Sequence, residues 1–386
     1  MHPSTLPLLS LIIPTRERAE TLAFTLTTAL EQQSRDYEII VSDNASADRT
    51  KAVVDNLADT RIHYFNTGQR LSMCDNYEFA LERARGDYVI FIGDDDAVVP
   101  SAIDHLLSLF RAAREKLIHM WPLHTYDWPV ADRKGRVAYL APVRAPSEMD
   151  LKAKARFVMR KGGWKYYELP SPYHAAIPRY LLDKIRSRTG RVFHSTQPDV
   201  FTAMVIPALA DRAINIGFSI TFNGRSSRSN GLGFVTKSAQ ANIDRFLREY
   251  GDYRLHPTLF PGVSNAANMI PDAILVARDL FPDLYEGIEF NYEAMWAFSC
   301  RHRFVSHIDV LRNLRGIRER HSFRAIRFIL YSLIQEISVA RRKLLDLIMP
   351  TGQFEKNAQD NILDFARALA AQPNNPMEQH THASTR

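Results

Sequence analysis

Two cysteines, Cys74 and Cys300, are all that 386 residues contain. So few exclude a disulfide framework and a repeated cysteine metal motif, and point to a reducing compartment. No uninterrupted apolar run reaches the roughly 18 residues of a membrane-spanning helix. Met1–Pro7 lacks the basic start and apolar core of a secretory signal. No glycine-rich dinucleotide or P-loop fingerprint follows any predicted strand, so a bound nucleotide must be held by carboxylates, hydroxyls and a cation. The basic excess is mild, a net charge of +6 with a pI of about 9.2. No recognised binding module accompanies it, so nucleic acid is not an expected partner, while anionic membranes and phosphorylated substrates are. The chain reads as soluble or peripheral: cytoplasmic, with the inner face of the membrane as the alternative.

What is present centres on Asp87–Pro100, DYVIFIGDDDAVVP. Tyr88–Ile92 is apolar, β-branched and aromatic, a buried strand by composition. It stops at Gly93, and Asp94, Asp95 and Asp96 follow. Three adjacent carboxylates at a strand's carboxyl end repel one another unless a cation sits among them, and hard oxygen ligands suit Mn²⁺ or Mg²⁺. In open α/β sheets that edge is where ligands bind. The competing reading is an acidic turn complementing the helix that begins near Ser101.

Strand and helix alternate through the first hundred residues. Leu8–Ile13 is a strand ending at Pro14 with the polar loop Thr15-Arg16-Glu17-Arg18, and a helical pattern runs through Leu22, Leu26 and Leu30. Tyr37–Val41 is a second strand, followed by Ser42-Asp43-Asn44-Ala45-Ser46-Ala47-Asp48. A helix over Thr50–Leu57, a strand over Arg61–Phe65 and an amphipathic helix over Asn76–Arg85 lead to the acidic trio. This spacing predicts an α/β fold with a mostly parallel sheet flanked by helices. Three polar loops converge on one edge, where Asp43 can accept a hydrogen bond from a base, Thr15 and Glu17 can bind base or ribose, and Arg16 or Arg70 can face a phosphate. Each has a plainer alternative, Asp43 as a helix cap and Arg16 as a solvated surface residue.

These stretches (Ile12–Arg18, Val41–Asp48 and Gly86–Asp96) resemble the amino-terminal half of family 2 glycosyltransferases. The resemblance implies the GT-A fold, Rossmann-like, inverting and nucleotide-sugar dependent. It implies that Pro14, Thr15, Arg16, Glu17, Asp43, Asn76, Asp94 and Asp95 line the nucleotide site. By position it puts Asp94 and Asp96 at the DxD-type motif, with Mn²⁺ or Mg²⁺ on the diphosphate. Two departures stand out: Gly93 replaces the motif's usual first acid, and Asp75 precedes Asn76 where many members carry arginine.

Beyond the trio, a helix over Ser101–Ala113 precedes an edge strand over His119–Tyr126, a turn at Asp132–Gly135 and a returning strand over Val137–Leu140. A helix over Glu148–Met159 leads into Gly162–His174, where aromatics, glycine and proline crowd together. Such a segment suits a sugar-stacking wall or equally a packed loop. The resemblance makes it the acceptor pocket, with Trp164, Tyr173 and His174 as contacts. Pro198 opens a helix over Val200–Leu209, leaving Asp199 at its start, where an acid can complement the dipole. The resemblance implies that Asp199 is the base that deprotonates the acceptor hydroxyl, with His194 as understudy. After a strand over Ile214–Phe222 comes Asn223–Gly233, in which Arg225 and Arg228 are candidates for a loop closing on the diphosphate.

From Ala239 the pattern is helical: Ala239–Tyr250, Ser264–Leu280, Asn291–Cys300 and a long helix near Phe323–Leu347. Arginines interleave with its apolar residues, and Arg341-Arg342-Lys343 follow. The helix either packs in the core with a solvated basic face or lies in a membrane interface. The expected organisation is a GT-A domain over 1–235 (nucleotide half 1–100, acceptor half 101–235), a helical region over 236–371 and a disordered tail over 372–386. The implied function is inverting transfer of a sugar from a nucleoside-diphosphate sugar to a saccharide or lipid-linked saccharide hydroxyl, as in bacterial-type polysaccharide or glycolipid assembly, with oligomerisation open. Two rivals are a non-catalytic nucleotide-sugar-binding or scaffold protein of the same fold, and a nucleotidyltransferase. The latter should carry a glycine-rich basic loop after the first strand, and Pro14-Thr15-Arg16-Glu17 is not one.

Overall fold

The structure, a computed structural model, describes residues 6–130, 134–227, 239–260, 265–348 and 361–371. Four strands of the amino-terminal region, β1 (Leu9–Thr15), β2 (Tyr37–Asp43), β3 (Ile62–Asn66) and β4 (Tyr88–Phe91), lie parallel in the order β3-β2-β1-β4. Eight more follow: β5 (Ala97–Val98), β6 (Ile118–Met120), β7 (His124–Asp127), β8 (Arg136–Tyr139), β9 (Ser147–Asp150), β10 (Ala175–Pro178), β11 (Arg212–Asn215) and β12 (Thr221–Arg225). The large sheet continues β4-β10-β6-β11-β9, with β10 antiparallel to both neighbours. A smaller sheet runs β5-β12-β7-β8. The large sheet is therefore mixed, parallel over β3-β2-β1-β4 and again between β6 and β11.

Register and burial explain the apolar runs. Leu9, Leu11 and Ile13 face one core with Ile39, Val41, Tyr88, Ile90 and Ile92, while Ile12 faces the other with Ile40, Val89 and Phe91. Both faces are covered, so these strands read as continuous hydrophobic stretches instead of alternating ones. The first face is covered by the helices Ala19–Leu30 and Ala102–Ala112. The helix Ile362–Ala370 joins the same core through Ile362, Phe365 and Ala366, and Arg367 pairs with Glu31. The second face is covered by the helices Met73–Leu81, Leu151–Arg160 and Pro198–Val205, with Asn265–Leu280 and Tyr292–Arg301 packed in the same cluster.

Three expected elements take another form. The edge strand over His119–Tyr126 is two strands in different sheets, neither at an edge: β6 lies between β10 and β11, and β7 between β12 and β8. The break falls at Trp121-Pro122-Leu123, where proline has no N–H for a ladder. The strand over Ile214–Phe222 is likewise split, because Gly217 has φ 86° and a Cβ there would lie 2.1 Å from the Arg144 carbonyl oxygen. The start of the helix over Glu148–Met159 is strand β9, whose Asp150 then caps the helix by accepting the Ala153 N–H at 2.9 Å. The turn at Asp132–Gly135 falls partly outside the described residues, and the tail over 372–386 wholly so.

Candidate functional site

Pairing of β1 with β2 sets Thr15 beside Asp43, and pairing with β4 sets Ile12 beside Phe91, so three loops leave the sheet at one edge. The acidic trio lies there, each residue 3–4% exposed. Asp94 accepts the Thr15 hydroxyl at 2.7 Å and the Arg16 N–H at 3.4 Å on Oδ2. Its Oδ1 receives Arg18 Nη1 at 2.7 Å, and the same nitrogen is 3.7 Å from Asp95 Oδ1. Asp96 accepts the Gly93 N–H at 2.6 Å and the Gly224 N–H at 2.7 Å, one on each oxygen. Asp95 Oδ2 accepts the Ser226 N–H at 3.1 Å, and its carbonyl accepts the Trp128 indole N–H at 2.8 Å. Strand β12 is thus docked on the trio through its backbone. Only glycine fits at 224, since a Cβ would fall 1.6 Å from the Asp95 carbonyl oxygen.

Burial raises the Asp94 carboxyl above its ordinary range, and burial with the neighbouring Asp95 charge pushes Asp96 up to about 8. Arg18 is also pushed up: although burial disfavours its charge, Asp94 and Asp95 hold the guanidinium firmly protonated. Arg18 is the contact that sequence reading missed, because it lies one residue past the stretch Pro14–Glu17 taken as nucleotide-binding.

The remaining nucleotide-site expectations divide. Asp43 lies at this edge, but its carboxylate accepts the Tyr64 hydroxyl at 2.5 Å, the Asn66 amide at 3.1 Å and the Ser46 N–H at 2.9 Å. Asn76 is buried and accepts the Ser42 hydroxyl at 2.6 Å through Oδ1. Pro14 is a β1 residue. Glu17, with φ 55°, accepts the Ala47 N–H at 3.1 Å and pairs with Arg70 at 2.8 Å. Arg16 reaches away to Glu249, 2.6 Å distant, tying the first loop to the segment after the helix Ala239–Arg248. Arg16 and Arg70 are thus paired elsewhere, and Arg18 faces the trio.

Asp199 sits in the first turn of the helix Pro198–Val205, with Pro198 as its first residue. Burial raises its carboxyl, opposed by the N–H groups of Val200 and of Asp199 itself. The phenols of Tyr77, Tyr166 and Tyr173 all feel the Asp199 charge. Tyr173 also feels Asp94, Asp96 and Arg18, and its hydroxyl is hydrogen-bonded to that of Tyr77. The loop before Asp199 is anchored by Ser195, φ 62°, whose hydroxyl donates to the buried Asp272 at 2.5 Å.

Two expected acceptor contacts are core residues. Trp164 is 7% exposed, stacks on Phe298 with centroids 4.1 Å apart and donates its indole N–H to the Met295 carbonyl. His174 is buried and bridges the Ser171 hydroxyl and the Leu169 carbonyl, each at 3.0 Å. His194 bonds Thr189 Oγ1 and the Arg191 carbonyl. Arg225 is clamped by Asp127, its Nε 2.7 Å from Oδ1, and Arg228 lies outside the described residues.

Among the described residues no three His, Cys, Asp or Glu side chains form a ready-made cage for a metal ion. The donor set nevertheless fits a hard divalent ion, which commonly takes one or two carboxylates and completes its shell with phosphate and water. The carboxylates that converge on one cation are Asp94 and Asp95, through Arg18. Asp96, placed in the metal pair by sequence position, accepts one backbone N–H on each oxygen, from Gly93 and from Gly224 of β12.

Residues 10–162 match the family model described as glycosyl transferase family 2. Over 119 residues the chain is 37% identical to a GalNAc(5)-diNAcBac-PP-undecaprenol beta-1,3-glucosyltransferase of Campylobacter jejuni, covering 30% of this chain and 38% of the relative. It is 30% identical over 98 residues to the Escherichia coli UDP-Glc:alpha-D-GlcNAc-diphosphoundecaprenol beta-1,3-glucosyltransferase WfaP, covering 25% of this chain and 39% of that one. The chain thus spans well under half the length of these relatives. Among solved structures, S. aureus TarS 1–349 in complex with UDP-GlcNAc aligns with 86% of this chain and 91% of its own, at 14% identity and a TM-score of 0.46.

Proposed function

We propose that this chain, whose residues 10–162 match the glycosyl transferase family 2 model, is an inverting glycosyltransferase of the GT-A fold that moves a sugar from a nucleoside-diphosphate sugar to an acceptor hydroxyl. One observation carries the reading. A buried acidic trio with a bound guanidinium and a half-buried carboxylate, Asp199, both bear electrostatically on the Tyr173 phenol.

In this reading Thr15, Asp43 and Asn76 shape the nucleoside end of the site, and Asp94 and Asp95 hold a divalent ion with the donor's diphosphate. A bound Mn²⁺ or Mg²⁺ supplies neutralisation of the charge on the departing nucleoside diphosphate. Arg18, held by the same two carboxylates, is the positive charge with which the ion competes there. Asp199 takes the proton of the acceptor hydroxyl as its oxygen attacks the anomeric carbon. The new C–O bond forms on the face opposite the breaking bond to the diphosphate, which leaves with the electron pair, so the configuration inverts. A carboxyl raised by burial is a better proton acceptor than an exposed one, which suits the role. The acceptor proposed from the printed names of the relatives is a lipid-linked saccharide, and the process is polysaccharide or glycolipid assembly.

Titration with UDP, GDP and dTDP, each with Mn²⁺ and with EDTA, tests the site. One nucleotide should bind best, and Asp95→Ala should weaken it by roughly fivefold or more. Binding indifferent to both metal and Asp95 would reduce the trio to a structural turn.

A further inference from the structure

The helix Ala325–Ile348 packs on the helix Tyr292–Arg301 through Phe328, Tyr331, Ser332 and Gln335. At 100° per residue these four lie on one side. Directly opposite stand Ile326, Ile329, Leu330, Leu333, Ile334 and Ile337, between 50% and 75% exposed. The spacing i, i+3, i+4, i+7, i+8, i+11 makes them one continuous stripe. The outward face is more apolar than the inward one, the reverse of an ordinary surface helix. Ile308 and Leu311 of the adjoining helix His307–Arg312, 61% and 46% exposed, lie close to its start, where His307 meets Phe328. The sequence left two readings open, a core-packing helix with a solvated basic face and a helix lying in a membrane interface. The structure buries a partly polar face and leaves the aliphatic one uncovered.

Charge decides what covers it. Over residues 303–341 the described side chains include eight exposed arginines against three exposed acids, Asp309, Glu319 and Glu336. Arg327 flanks the stripe on one side, and Arg341 extends it one turn beyond Ile337. A second copy of the chain would bring the same positive rim against itself, which costs association energy. A bilayer with anionic headgroups satisfies both features, taking the aliphatic stripe at the acyl boundary and the arginines at the phosphates. No helix among the described residues is long and apolar enough to cross a membrane, so the contact is one of lying on the surface.

We infer that the face of the helix Ala325–Ile348 bearing Leu330 and Leu333, with its arginine rim, is a docking surface for an anionic lipid bilayer. This goes beyond the transfer reaction and holds with neither donor nor acceptor present. It would place the chain on the surface that carries a lipid-linked saccharide.

The test is co-sedimentation of the full chain with phosphatidylcholine vesicles, with and without phosphatidylglycerol, at low and high salt and without any nucleotide or saccharide. The wild type should sediment with phosphatidylglycerol vesicles and be released by salt. The double variant Leu330→Glu/Leu333→Glu should lose more than about tenfold in partitioning. Arg341→Glu should lose roughly fivefold. Both variants should keep the wild-type circular dichroism spectrum and melting temperature, because the altered side chains are exposed. Equal sedimentation of the double variant, or no sedimentation of a folded wild type, overturns the inference. So does a dimer in light scattering that the double variant dissolves while vesicles bind neither protein. Since the assay contains no substrate, a negative result leaves the glycosyltransferase reading intact, and a failed transfer assay leaves this one intact.

Discussion

Arg18 places one nitrogen between two carboxylates, 2.7 Å from Asp94 Oδ1 and 3.7 Å from Asp95 Oδ1. It is a cation held by the protein at the point where carboxylates converge. Removing it leaves buried negative charge without this partner, and losing one member of a buried pair commonly costs about 3 kcal/mol or more. Arg18→Met should lower stability by about that amount in urea denaturation at pH 7. Added Mn²⁺ should raise the melting temperature of the variant more than that of the wild type, because the ion then meets no competing guanidinium. An equal metal response in both proteins would show that Arg18 and the ion do not share a place.

Gly224 is packed so closely on Asp95 that no side chain fits there. Gly224→Ala should separate β12 from the trio, breaking the N–H bond to Asp96. Thermal unfolding should register a loss of roughly 1–3 kcal/mol, and nucleotide titration should show weakened binding. Ala at Gly68, where a Cβ meets nothing within 4 Å, is the control for surface substitutions. Its positive φ of 72° should cost about 1 kcal/mol without touching nucleotide binding.

Trp164 belongs to the core formed with Phe298 and Phe304. Trp164→Ala should therefore cost about 3–5 kcal/mol in stability. The acceptor KM of whatever remains folded should stay near the wild-type value. A change confined to KM would return Trp164 to the acceptor pocket.

Two buried histidines set an acid limit. His124 and His174 are both held down to about 4 by burial. His124 Nδ1 accepts the Ala141 N–H at 2.9 Å and so cannot take a proton without breaking that bond. Each folded value lies below the ordinary 6.5, so between those limits the unfolded chain binds more protons and stability falls as pH falls. The contribution is fully present above pH 6.5 and lost by about pH 4, on the order of 3 kcal/mol per histidine. Denaturation midpoints across this range should show the fall, and His124→Gln should flatten part of it.

The alternation of apolar runs and polar loops made the first four strands legible, since β1, β2 and β4 are covered on both faces and the loops leave at one edge. Residue type also carried Asp94, Asp95 and Asp199 to candidate status. What could not be read was direction. Nothing in the order Arg16-Glu17-Arg18 tells which arginine turns inward, because Glu249 and Arg70, which hold Arg16 and Glu17, lie far along the chain. Trp164 and His174 sit in a segment whose composition suits a binding wall or a packed loop equally, and the burial of Trp164 comes from the helix Tyr292–Arg301, which lies far along the chain. The outward stripe of the helix Ala325–Ile348 was hidden for the same reason: periodicity reveals a stripe, but not whether it faces the core.

Asp199 carries the chemistry in this account, and Asp199→Asn measures it most directly. With the preferred nucleotide bound and an acceptor supplied, the variant should keep the wild-type nucleotide Kd within about twofold. Its kcat should fall by about 10²–10⁴. The wild-type rate should rise as pH climbs through the raised Asp199 carboxyl, and that limb should vanish in the variant. Retained turnover with the same pH profile would contradict the assignment of Asp199 as the base that completes transfer across Tyr173.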